Sequence, residues 1–576
     1  MRRRWGLATA LLAVALPLAS CSTVPSSSPT VEITQAPSRP VEAVGIEPLP
    51  PEPGASPEEV VRTFIDAAAS TVRRHPVARQ HLTPEAAEVW SDESGISIIR
   101  TDFATVTTDA GAVSVTANLV GTVDPRGVFT VSGRDVYTRE FRLQRVADEW
   151  RIDDPPDGLL MLEPDFERLY DQVQAYFLDP TEQRVVPDPR YLIGGASQPT
   201  ALVERLLAGP SAGLAQAVSS PLSGVQLRRA VTVEGQTATV ELTGLPAEPS
   251  PDLPEICAQL VWSLQQLDRP RVNNVVVLLD GEPIMLPGVP ERQTIEDWAS
   301  FDPDAVPIDG VGHYLAAGAL HTVAGGEPTP GPAGGGAYGL GSAAVSADPA
   351  GGGLSFLVGV RTDAAGATLL AGPYDGELAP VLDGATLSAP TVAATRSEAW
   401  VVRDGSAVVR VPAGGSPQPV TAPTLAGLGR TEALRLSPDG VRAAVVIDGP
   451  QGRRLHMGTV VRSPDDAVVL RDLSEIAPGL ARVIDVGWRD SATLMVLAGD
   501  EGQDRIVPYS VGADGWGLGQ VTTSGLPSQP TALAVAPNRQ ALVSAGGTVW
   551  QLTGGTWRTL VRGAEPLPGT APFYPL

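Results

Sequence analysis

The sequence predicts a multidomain chain: two small α+β domains, then an all-β propeller of five or six blades. Three observations predict it. First, 576 residues with 43% hydrophobic content are too many for one core and ample for several. Second, residues 55–300 twice run from helical spacing into strand alternation. Third, residues 310–576 carry five similar junctions at intervals of 42 to 51 residues, the length of a four-strand blade.

The chain opens with Arg2, Arg3 and Arg4, an apolar run from Trp5 to Leu18, and small residues up to Cys21. A positive start, a short apolar core and a small-residue cleavage point make a secretory leader over residues 1–20. The run is shorter than the ~20 apolar residues of a membrane span. Leu18-Ala19-Ser20-Cys21 resembles the lipobox of bacterial lipoproteins, which implies that Cys21 is acylated and heads the mature chain. An ordinary secreted protein with an incidental cysteine is the alternative. Residues 21–54, rich in Ser, Thr and Pro, read as a flexible tether that buries too little to fold.

Charge and composition exclude whole classes of function. A formal charge of −24 argues against nucleic acid, whose recognition needs clustered cations. The same charge leaves membrane attachment to the acyl group on Cys21. Every cation among the 41 Lys+Arg is arginine, so a Walker loop, a Schiff-base lysine and a kinase strand lysine are all impossible. With Cys21 acylated, Cys257 has no partner and reads as a buried, inert thiol in an apolar helix.

The first folded domain, residues 55–160, opens on Ser56-Pro57-Glu58-Glu59, a capping box with proline in the first turn. Val60, Val61, Phe64, Ile65 and Ala68 follow at helical spacing, and Pro84 to Trp90 predicts a second helix. Strands follow from Ile96, with Val113 to Leu119 and Phe141 to Leu143 alternating, and Glu149 to Ile152 last. This order resembles the cone-shaped fold of the nuclear-transport-factor superfamily.

Residues 161–300 predict a helical bridge (Glu163 to Phe177) and a second α+β domain. Its pieces are a helix at Ala201 to Ala208 stopped by Gly209-Pro210, and a strand pair (Val225 to Val233, Thr237 to Leu242) turned at Glu234-Gly235-Gln236. A helix with Ile256, Leu260, Leu264 and Leu267 on one face follows, then a buried strand at Val275 to Leu279. This layout is similar to the spore-germination GerMN domain over Ala201 to Leu286, a family that implies no catalytic residues. Asn273 and Asn274 read as turn residues.

The five junctions of the last region are Ser346-Ala347-Asp348, Thr395-Arg396-Ser397, Ser437-Pro438-Asp439, Trp488-Arg489-Asp490 and Ala536-Pro537-Asn538. Alternating apolar runs flank each one. Five blades fit, and Tyr314 to Val323 either seeds a sixth or closes the ring with a late strand. The turn at Ser437-Pro438-Asp439-Gly440 resembles those of TolB-like propellers. A pair of β-sandwiches is the competing fold.

No residue pattern points to catalysis, a cofactor or a metal. His75, His81, His313, His321 and His456 never meet at zinc spacing and read as packed or exposed. There is no Gly-x-Ser-x-Gly. The glycines at 334–336 and 515–519 open no helix and read as loops. Asp302, Asp304 and Asp309 depart from calcium-loop spacing and read as linker charges.

Lipobox, GerMN-like domain and carboxy-terminal propeller, in that order, resemble the LpqB lipoproteins of actinobacteria. The resemblance implies a non-enzymatic lipoprotein on the extracytoplasmic face of the cell membrane. It also implies a partner, the extracellular domain of a sensor kinase of the MtrB-MtrA type, and a setting in envelope homeostasis and division. Two alternatives stand beside it: a cell-wall glycan-binding or hydrolytic protein using the propeller, and a structural envelope scaffold.

Overall fold

The computed structural model describes residues 48–108, 111–245, 253–307, 310–349, 353–500 and 505–576. Cys21, the leader, most of the tether and Asp309 lie outside them. The described residues form one compact unit.

Helix Pro57–Ala67 starts where the sequence says. Ser56 Oγ accepts the Glu59 N–H at 3.3 Å and Glu59 Oε2 accepts the Ser56 N–H at 2.8 Å, an arrangement worth about 1 kcal/mol. Its apolar stripe, Val60, Val61, Phe64 and Ile65, is fully buried against a sheet. The centre of that sheet is the long strand Val113–Val123, which pairs with Ile96–Ile99, Ala104–Thr107, Phe129–Val131 and Val136–Phe141. The sheet does not end at Ile152 as expected. Leu159–Leu162 runs parallel to Ile96–Ile99 and buries Leu159, Leu160 and Met161.

The helical bridge is half right. Glu163–Leu169 is a helix, but Tyr170–Leu178 is a strand, paired in a hairpin with Val185–Ile193. Val173, Ala175 and Phe177 alternate inward, a period of two that excludes a helix. In the second domain Val225 to Val233 splits into Gln226–Leu227 and Thr232–Glu234, each paired with Thr237–Thr243. Thr237–Thr243 and Asn274–Leu279 are parallel neighbours joined through helix Leu253–Gln265, so this is a β-α-β crossover. The helix buries Ile256, Leu260 and Leu264.

The propeller has six blades, and a pair of sandwiches is excluded. Five are four-stranded antiparallel sheets whose strands pair in chain order. Their innermost strands are Ser342–Ala347, Thr391–Ala393, Arg430–Leu436, Leu480–Trp488 and Pro530–Ala534. Blade six joins both ends of the region: Thr570–Phe573 is innermost, then His313–Ala316, then Ala319–Thr322. Tyr314 to Val323 thus both seeds the sixth blade and receives the closing strand. Ala347 N–H donates to Leu576 at 2.8 Å and Leu576 N–H to Val345 at 3.2 Å, which ties blade six to blade one.

The five junctions are the turns between the first and second strands of blades one to five. At Ser437-Pro438-Asp439-Gly440 the Ser437 Oγ accepts the Arg442 N–H and the Asp439 carboxylate accepts the Val441 N–H, both at 2.9 Å. Gly440, at φ +71°, makes the reversal.

Candidate functional site: the propeller channel and the face docked on the other domains

The six innermost strands surround a cavity of about 290 Å³. Small side chains keep it open: Ala343, Ala344, Ala433, Gly487, Ala532 and Ala571. Three of its polar side chains, Asp485, Thr391 and Trp488, hold blades together, whereas Glu432 pairs with Arg430 and Arg453 inside blade three. Asp485 Oδ1 accepts Arg435 Nη2 from blade three at 3.1 Å and the Val486 N–H at 3.0 Å. Its Oδ2 accepts the Leu533 N–H from blade five at 2.9 Å. Thr391 Oγ1 takes the Leu436 N–H at 3.1 Å, and Trp488 Nε1 donates to the Arg435 carbonyl at 3.0 Å. Side chains thus bridge blades two to five where the inner strands do not pair. A buried carboxylate with three donors is satisfied and anchored.

The propeller face that carries the junction turns is docked on the rest of the protein. Trp516 sits in the turn of blade four that the glycines at 515–519 marked only as a loop. Its ring packs edge-on against Phe129 of the first domain (5.0 Å between centroids), Phe166 of the bridge helix (5.2 Å) and Tyr191 of the hairpin (5.6 Å). Gly515 (φ +92°) permits the approach, since a Cβ there would lie 2.5 Å from the Ile476 carbonyl and 3.1 Å from Val131 of the first domain. Asp514 Oδ2 accepts the Tyr191 hydroxyl at 2.8 Å. Burial holds the Asp514 carboxyl above its ordinary range, and burial beside Asp514 raises the Tyr191 hydroxyl.

Two further contacts fasten this seam. Val441, in the blade-three turn, packs with Val186, Leu214 and Ala217 of the second domain, and Arg442 donates to the Pro187 carbonyl. Asp304 is a seam residue rather than a free linker charge. Its Oδ1 accepts the Ser491 N–H of blade four at 2.6 Å. Burial, with Asp490 and Asp302 nearby, pushes its carboxyl up to about 6.

The histidines are packed singly. His81 is fully buried between the Val77 carbonyl (3.1 Å) and Thr63 Oγ1 (3.0 Å), and burial pulls it down to about 4. His313 meets Tyr374 Oη at 2.7 Å, and burial lowers it to about 4 as well. His75 pairs with Asp92 at 2.7 Å, and Asp92 also holds Arg79. Cys257 is fully buried, and its thiol is pushed up to about 11 by burial, which disfavours the thiolate. Asn273 bonds Gln236 at 2.7 Å in a turn, whereas Asn274 begins a strand. Among the described residues no group of three His, Cys, Asp or Glu is placed to hold a metal ion. No described helix is long and apolar enough to cross a membrane.

Three family models tile the chain in the order of these domains. The LpqB N-terminal domain matches residues 50–167, a sporulation and spore germination domain residues 174–285, and the LpqB β-propeller domain residues 318–575. A relative named Lipoprotein LpqB from Rhodococcus opacus is 32% identical over 528 residues, 86% of this chain and 85% of its own. The chain belongs to the LpqB lipoprotein family. The Lipoprotein LpqB of Mycobacterium tuberculosis is likewise 32% identical, over 92% of both chains. Among solved structures, TolB from Acinetobacter baumannii is 12% identical with a TM-score of 0.33, over 47% of this chain and 68% of its own. Family membership places the chain among lipoproteins.

Proposed function

We propose that this chain is a lipid-anchored, non-enzymatic accessory of a two-component sensor kinase of the MtrB-MtrA type, acting outside the cytoplasm in envelope homeostasis and division. The observation that carries the reading is membership of the LpqB lipoprotein family along most of the chain. The architecture supports it. The propeller is docked on the smaller domains through Trp516 and Asp304, so the three present one body to a partner.

Acylation of Cys21 would confine the protein to the membrane that holds the kinase. Sharing one membrane raises effective concentration, so a weak contact suffices. The smaller domains follow the tether directly and are the preferred contact surface. The test is a pull-down of the kinase's extracellular domain by the purified full-length protein in detergent. Retention supports the reading. Failure of retention, with turnover of purified peptidoglycan by the same preparation, would replace it with the cell-wall alternative.

A further inference from the structure

Three consecutive blades present irregular strands to the propeller channel. In blade three the pairing of the innermost strand slips at Glu432, and in blade five it slips at Thr531. In blade four it slips between Ala481 and Asp485, where Ile484 stands. A bulge re-aims a side chain, and Glu432, Ile484 and Thr531 all line the cavity. Thr531 is exposed and the Glu432 side chain is 25% exposed, so the lumen meets solvent here.

The lining has a polar side and an apolar side. Blades one to three supply Ser342, Thr391, Glu432 and Arg435. Ser342 Oγ makes no hydrogen bond among the described residues, and Thr391 Oγ1, which accepts the Leu436 N–H, keeps its own proton to donate. Arg435 spends only part of its donors, on Asp485 and the Leu434 carbonyl, and its side chain is 21% exposed. On blades four to six the polar side chains are occupied, Asp485 between blades and Thr531 on Ser544. What they leave facing the cavity is apolar: Ile484, Ala532, Ala571 and Phe573.

The charges around this lumen cancel. Glu432 meets Arg430 Nε at 3.2 Å and Arg453 Nη2 at 3.3 Å, Arg453 also meets Asp448 at 3.5 Å, and Arg435 meets Asp485 at 3.1 Å. An ionic ligand would have to draw one of these groups from its partner. A neutral ligand finds donors and acceptors already in place.

We propose that the channel binds a neutral sugar, a pyranose with its hydroxyl edge toward Ser342, Thr391, Glu432 and Arg435 and its CH face against Ile484, Ala532 and Phe573. A cavity of about 290 Å³ stands at the lower end of small-molecule sites and has room for a monosaccharide. The inference goes beyond the signalling reading and does not rest on it, because retention of a kinase domain neither requires the sugar nor excludes it.

The test is saturation-transfer NMR on the full-length protein in a detergent without a sugar headgroup. The neutral probes are methyl glucoside and N-acetylglucosamine, and glucuronate is the charged control. Saturable binding of at least one neutral probe is expected, with glucuronate about tenfold weaker or more, since it must break an ion pair. Ser342→Ala removes a hydroxyl that no described residue uses, so the fold is untouched, and the loss of one hydrogen bond is expected to weaken the neutral probe about three- to tenfold. Ala532→Leu fills the lumen and is expected to abolish the signal, with the melting temperature measured alongside. No binding of either neutral probe, glucuronate binding as tightly as they do, or a neutral-probe affinity that neither substitution changes would each overturn the proposal.

Discussion

Replacing Trp516 by alanine tests the docking of the propeller on the two smaller domains. The indole makes edge-on contacts with three rings, Phe129, Phe166 and Tyr191, at 5.0–5.6 Å. Each such pair is worth roughly 0.5–1.5 kcal/mol beyond area burial, so the variant loses about 2–4 kcal/mol of docking free energy. Residues 48–307 then melt without the propeller's support. At about 2–4 °C per kcal/mol for a unit of this size, their calorimetric transition is expected to fall by roughly 4–16 °C and to separate from the propeller's. Trp516→Phe keeps a ring in the site and is expected to lose about half as much. A Trp516→Ala protein whose calorimetric trace overlays that of the unaltered chain would refute the argument that this side chain fastens three domains.

Further predictions concern the channel and the seam. Asp485→Ala removes hydrogen bonds that span blades three to five and leaves Arg435 without its carboxylate. Urea unfolding followed by near-UV circular dichroism is expected to show a loss of about 3 kcal/mol or more, larger than for Asp485→Asn, which keeps an acceptor. Asp304 makes stability depend on pH in a defined sense. Its folded carboxyl titrates at about 6 against an ordinary 3.8, so between these values the folded chain holds a proton the unfolded chain has lost. Its contribution therefore falls as pH rises through that window and is flat above it. Asp304→Asn is expected to flatten the slope between pH 4 and about 6 in thermal melts, and an unchanged slope would assign the pH dependence to other groups.

The sequence carried the elements whose signals are local. The capping box at Ser56 and Glu59 forms as its residues require. The spacing of the junctions is legible because each is a tight turn built by side chains within a few residues, as at Ser437 and Asp439. The sixth blade is less legible because Thr570–Phe573 and His313–Ala316 lie some 255 residues apart, and no local repeat connects them. The strand Tyr170–Leu178 was legible and misread: Val173, Ala175 and Phe177 alternate, although the flanking Glu163–Leu169 is helical. The seam was not legible. Trp516 sits among glycines that describe a turn, and Asp304 among linker prolines. Only the packed fold brings Phe129 and Ser491 to them.

The measurement that bears most directly on the account is in-cell crosslinking of the native protein beside a Cys21→Ala variant, with membrane fractionation and mass spectrometry of the captured partners. The account predicts that the native protein sits in the membrane fraction and captures a sensor kinase through its extracellular domain. It also predicts that the variant leaves the membrane and loses most of that capture. A native protein found in the cytosol with its leader uncleaved, or a membrane-bound protein that captures no kinase, would contradict it.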